Sequence, residues 1–130
     1  MFKKIDHVEI VPRDLERSIK FYTKILGFKV KLRRNVGKPP LEEVVFLELN
    51  GTCIELFSVQ NPAPPSTEQW QLGCRKIALE VEDIDKAVEY LKTKGVKISL
   101  DPVALDTVKL AVIEDPDGLP IELLQWVEPR

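Results

Sequence analysis

Four residues stand out for what they could do chemically: His7, Glu55, Lys76 and Glu122. An imidazole and two carboxylates offer lone pairs to a proton or to a borderline-hard divalent metal. The lysine ammonium has donors and no lone pair, so it supplies charge and not ligation. Their spacing ties them together. His7 and Lys76 lie 69 residues apart, Glu55 and Glu122 lie 67 apart, and each pair sits in one repeated local pattern. Asp14 and Asp83 also match at 69, and Gly27 and Gly95 at 68, which implies one residue lost in the second copy. Asn50-Gly51 before Ile54-Glu55-Leu56 corresponds to Asp117-Gly118 before Ile121-Glu122-Leu123. Such a duplicated module usually pairs with its copy about a pseudo-twofold axis, because each half leaves one sheet face unburied. Equivalent residues then meet near the axis.

The elements that must position these groups follow from local patterns. Lys4 to Val11 alternates, with Ile5, His7 and Glu9 on one face and Asp6, Val8 and Ile10 on the other. Asp14 is an N-cap for a helix over Leu15 to Leu26, whose stripe is Leu15, Ile19, Tyr22, Ile25 and Leu26, and Gly27 ends it. The second copy repeats this with a strand Lys76 to Val81, the cap Asp83, the stripe Ile84, Ala87, Val88 and Leu91, and the stop Gly95. Three strands follow each helix: Phe28 to Arg33, Val44 to Leu49 and Thr52 to Val59, then Val96 to Leu100, Val108 to Ile113 and Pro120 to Val127. Asn50-Gly51 predicts a tight hairpin turn. The topology is βαβββ, twice. Asn35 to Glu42, with Gly37, Pro39 and Pro40, reads as a rim loop, and Gln60 to Leu72, with three prolines, as an extended linker.

A lone glutamate alternating into an apolar strand ordinarily faces water on a half-exposed sheet. Two in register across a duplication, each with a charged or imidazole partner on the first strand, point instead to a shared concave site. Bulk properties narrow the classes. A net charge of −2 with 31% charged residues carries no field marking the chain for nucleic acid or anionic membrane. Apolar runs are strand-length, so neither a signal peptide nor a spanning helix is expected. Cys53 and Cys74 occupy non-equivalent places and read as free thiols in a reducing cytoplasm.

The residues Ile5-Asp6-His7-Val8, Asp14-Leu15-Glu16-Arg17-Ser18-Ile19-Lys20-Phe21-Tyr22 and Leu26-Gly27-Phe28 resemble the vicinal oxygen chelate superfamily. So do Ile77-Ala78-Leu79-Glu80-Val81 with Asp83-Ile84, and Asp115-Pro116-Asp117-Gly118 leading to Ile121-Glu122-Leu123. That superfamily holds glyoxalase I, methylmalonyl-CoA epimerase, bleomycin- and fosfomycin-resistance proteins and extradiol dioxygenases. The resemblance covers essentially the whole chain. It implies four inward side chains holding a divalent metal, which grips vicinal substrate oxygens and stabilises an enediolate-like anion as a Lewis acid. Carried over by position, these are His7, Glu55, Lys76 and Glu122, with His7, Glu55 and Glu122 as ligands to Ni, Co, Mn, Fe or Zn.

Lys76 departs from the pattern, since most metal-dependent members carry histidine there. Two arrangements remain open. Either Lys76 swings aside and three ligands hold the metal, or its ammonium bridges Glu55 and Glu122 in the metal's place. Charge counting favours the metal-free or weakly metal-binding form.

The expected protein is thus a single α+β domain over residues 1–130, with module one at 1–60, a linker at 61–72 and module two at 73–130. The modules form a cupped mixed sheet with helices outside, in a homodimer. The expected function is a glyoxalase-like lyase or isomerase acting on an oxygen-rich small molecule by proton transfer, with Glu122, Glu55 and Lys76 as its catalytic groups. The alternatives are a resistance-type protein binding a drug or metabolite in the same cup and a structural homodimer with a vestigial site. Glu9 and Glu80 are open as general base or rim charge, Arg33 and Arg34 as anion contacts or solvated charge, and Trp126, Leu124 and Trp70 as an apolar wall.

Overall fold

The computed structural model describes residues 1–128. The chain divides into two compact units, Met1–Pro65 and the segment from Ser66 onward. Each is one βαβββ module, and the class is α+β.

In the first unit the elements run β1 (Val8–Ile10), α1 (Leu15–Lys20), β2 (Lys29–Lys38), β3 (Leu41–Leu49) and β4 (Thr52–Val59). The sheet order is β1-β4-β3-β2, with β1 parallel to β4 and the other pairs antiparallel. Asp14 caps α1 by accepting from the Arg17 amide at 3.1 Å, and Gly27 takes φ +88°, a left-handed value open to glycine at little cost. The helix does not stay α-helical to Leu26. Phe21–Ile25 forms a wider π-helical turn, in which the Leu26 amide reaches the Phe21 carbonyl at 3.2 Å. Phe21 and Tyr22 are both buried, which neighbouring positions on a regular α-helix achieve poorly. Tyr22 meets Phe21 and Phe28 edge-on, so an aromatic cluster offsets the cost of the distorted turn.

Two other expectations need correction. The first strand keeps only Val8 to Ile10 on the ladder, so residues 4–7 and Val11 lie outside it. The expected rim loop at Asn35 to Glu42 is strand: β2 continues to Lys38 and β3 resumes at Leu41, leaving Pro39-Pro40 as the turn. Irregular register between Asn35 and Lys38 accommodates Gly37 without ending the pairing.

The second unit repeats the plan with β5 (Ile77–Glu80), α2 (Ile84–Thr93), β6 (Ile98–Leu105), β7 (Val108–Glu114) and β8 (Pro120–Trp126), in the order β5-β8-β7-β6. The helix is capped by Asp83, which accepts from the Lys86 amide, and by Gln125 of β8, whose Oε1 accepts from the Ile84 amide at 2.9 Å. Ile84, Val88 and Leu91 of α2 are buried, as are Ala111, Ile113, Ile121 and Leu123 on one face of the sheet. The segment between β4 and β5 has no strand or helix, and Trp70 there lies 75% exposed with Arg75 stacked 4.2 Å above its ring.

Candidate metal and proton-transfer site

The hairpin at Asn50-Gly51 sets which residues share a face in the first unit. Parallel pairing brings Glu9 beside Glu55, and antiparallel pairing brings Phe46 beside Glu55 on its other flank. Ile54 and Leu56 point the opposite way into the core, so Glu55 projects from the free face of the sheet. It is nonetheless only 7% exposed.

His7 closes over it. Its Nε2 lies 3.2 Å from Glu55 Oε1 and 3.2 Å from Glu9 Oε2, while Nδ1 lies 2.9 Å from Asp6 Oδ2. Phe46 meets the imidazole edge-on at 5.0 Å. With the Asp6 carboxylate holding a proton on Nδ1, Nε2 faces two carboxylate oxygens. That position needs positive charge, either a second proton or a metal ion. Hydrogen bonds to Asp6 and Glu9 raise the His7 pKa above 6.5, with Glu55 adding to the rise and partial burial opposing it. The same contact lowers the Asp6 pKa. Burial raises the Glu55 pKa above 4.5; the charges of His7 and Arg34 oppose the rise.

The donor set fits a divalent ion. The ligand atoms of His7, Glu9 and Glu55 all lie within 4.8 Å of one another. Metal–ligand bonds of about 2.0–2.2 Å set adjacent donors about 3 Å apart, close to both 3.2 Å contacts. Asp6 on the far nitrogen is the carboxylate–histidine arrangement that orients a ligating imidazole.

The second unit holds the repeat-related pair. Lys76 Nζ lies 3.6 Å from Glu122 Oε1, and both side chains are 22% exposed. Ala78 stands beside Glu122 across β5 and β8. By register, Glu122, Leu124 and Trp126 share their face with Val112, Leu110 and Val108, so an apolar wall runs along the strand from the ion pair.

Within its own unit, then, each expected pair is in contact. Glu9, open between base and rim charge, touches His7. Asp6, expected on the opposite face, bonds the ring because it lies ahead of the ladder and is free of the strand's alternation. Phe46 was missed, although counting outward from Asn50-Gly51 puts it opposite Glu55. Arg33 is not available as an anion contact: it bonds Glu43 and Glu16, tying β2 to β3 and α1, and both carboxylates hold its guanidinium firmly charged. Cys53 is partly buried and on the Glu55 face, and Glu80 is exposed.

The chain is 36% identical over 132 residues to the uncharacterized protein YwkD of Bacillus subtilis strain 168, covering 96% of this chain and 98% of that one. It is 32% identical over 123 residues to the lactoylglutathione lyase of Escherichia coli O157:H7, covering 92% and 90%. The solved structure of a glyoxalase family protein from Enterococcus faecalis superposes with a TM-score of 0.84 at 28% identity, covering 95% of this chain and 98% of that one. The family model of the Glyoxalase/Bleomycin resistance protein/Dioxygenase superfamily matches residues 4–123, and the chain belongs to that superfamily.

Proposed function

We propose that the protein is a glyoxalase-like lyase or isomerase that moves a proton on a small, oxygen-rich substrate. The observation that carries this reading is His7 Nε2 set between two carboxylates with its other nitrogen held by Asp6. His7 and Glu55 are the ligands this contact supports; the resemblance assigns Glu122 to the same role. A divalent ion there, of the Ni, Co, Mn, Fe or Zn group, supplies Lewis acidity toward vicinal substrate oxygens.

Glu122 takes a proton from the carbon beside the substrate carbonyl and returns it to the neighbouring atom, so no atoms are gained or lost. Lys76 holds that carboxylate in place and offsets its charge. The half-exposed apolar face of Leu110, Val112, Leu124 and Trp126 supplies a wall for the rest of the ligand. That same face favours a second reading, in which the protein binds a drug or metabolite without turning it over.

The acting form is a homodimer, as closed twofold assemblies are the commonest for small proteins. The free thiols Cys53 and Cys74 suit the cytoplasm. Among the described residues no helix is long and apolar enough to cross a membrane.

The test is solvent deuterium exchange, followed by NMR, on thiol hemithioacetals of 2-oxoaldehydes. The purified protein is loaded in turn with Ni, Co, Mn and Zn. Exchange by the parent that Glu122→Gln lowers about a hundredfold or more supports the enzyme. Saturable binding with neither exchange nor isomerised product for any metal supports the binder instead.

A further inference from the structure

We infer that Glu9 is a protein ligand of the divalent ion, and that the first module holds the ion by itself with His7, Glu9 and Glu55. This rests on the reading that His7 and Glu55 hold a metal, and it changes where the remaining ligand comes from.

The donors are unevenly divided between the modules. At the repeat-related places, His7 is answered by Lys76, Glu9 by Ala78 and Glu55 by Glu122. The first module therefore carries three donors within 4.8 Å of one another, and the second carries one. That one is already matched, since Glu122 faces the ammonium of Lys76 at 3.6 Å. Bringing a dication to Glu122 would set it against this lysine; at the first-module cluster the described ion pairs are His7 with Asp6, Glu9 and Glu55, and Arg34 acts on Glu55 only through its field.

Parallel pairing of β1 with β4 puts Glu9 next to Glu55. His7, just ahead of the ladder, turns its ring onto both. Both glutamates already reach the same nitrogen at 3.2 Å. Glu55 is fixed by burial, while the Glu9 side chain is 56% exposed and can adjust to the ion. One neutral imidazole and two carboxylates carry −2, which a divalent ion cancels. Open positions would remain for substrate oxygens. Ala78 on the second module has no donor to offer, so the pattern is specific to the first strand of the first repeat.

The experiment is calorimetric titration of Mn and Zn, with cobalt absorption spectra, on the parent, Glu9→Gln, Glu122→Gln and His7→Ala. Glu9→Gln is expected to weaken metal binding at least about tenfold and to alter the visible cobalt bands. Glu122→Gln is expected to stay within about threefold of the parent, and Glu9→Asp to recover part of the affinity. Parent-like affinity and spectra in Glu9→Gln, together with loss in His7→Ala, would remove Glu9 from the ligand set and leave the metal reading standing. Equal weakening by Glu122→Gln and Glu9→Gln would overturn the one-module site. Equally weak binding by the parent and His7→Ala would overturn both readings. Because Glu9 is exposed, Glu9→Gln should melt like the metal-free parent, which separates ligation from folding.

Discussion

His7 is the chain's only histidine, so its titration can be followed without assignment ambiguity. Hydrogen bonds donated to Asp6 and Glu9 raise its pKa, and the metal-free protein should show an imidazole titrating above 6.5. Asp6→Asn and Glu9→Gln should each move it down, measured by NMR on the ring protons. A raised histidine value stabilises the fold fully at pH below the unfolded pKa of about 6.5, and that help fades as pH rises through the higher folded value. Glu55 also has a raised value, set by burial, but its sign is unfavourable. As pH rises from the unfolded value of 4.5 toward the folded one, the unfolded chain loses this proton first and stability falls. At residue scale Lys76 poses a separate question. Its contact with Glu122 is part-buried on both sides, so Lys76→Met should cost about 1 kcal/mol in chemical denaturation, between the values for exposed and fully buried pairs. A loss of several kcal/mol would mean that the lysine neutralises more than Glu122.

At the scale of elements, the turn before β8 shows how a loop fixes a functional strand. Asp115 is 6% exposed, and its Oδ1 accepts from the amides of Asp117 at 2.8 Å and Leu119 at 2.9 Å. Asp115→Ala removes the one oxygen that accepts both bonds and leaves two donors unsatisfied, at a cost of about 2–3 kcal/mol; Asp115→Asn, which keeps an acceptor oxygen, should lose less. Denaturant midpoints decide the order, and equal midpoints for the two variants would discount the side-chain contacts. The hairpin at Asn50-Gly51 was legible, as were the helix caps Asp14 and Asp83, because these features act through neighbours a few residues away. The π-helical turn was not. It depends on Phe21, Tyr22 and Phe28 packing together, and the periodic stripe counts only one of the first two. The continuation of β2 through Gly37 was hidden for a similar reason: β3 supplies the pairing, and local composition had suggested a loop.

For the whole molecule, the duplication was readable because copied residues keep their spacing, and it picked out His7 with Glu55 and Lys76 with Glu122, each in contact within its own unit. What it could not show was Glu9 turning toward His7, since that contact breaks the repeat: Ala78 stands at the matching place. On the proposed metal reading, the protein-wide consequence is a stability that depends jointly on metal and pH. An ion that binds only the folded chain stabilises it by about 2.7 kcal/mol at a hundred times its dissociation constant. For a chain of 130 residues that is a rise of several degrees in Tm. Protons compete for His7 Nε2, and the raised pKa of that ring extends the competition to higher pH than an unperturbed histidine would allow. The metal-induced rise in Tm should therefore be full at pH well above the His7 value and shrink as pH falls through it. Asp6→Asn, with the ring pKa brought down, should keep the metal effect to lower pH even if its affinity at high pH is somewhat reduced. Thermal melts with and without Mn or Zn between pH 5.5 and 8.5 measure this directly. A metal effect that is flat across that range in the parent would mean that the ion is held without the imidazole.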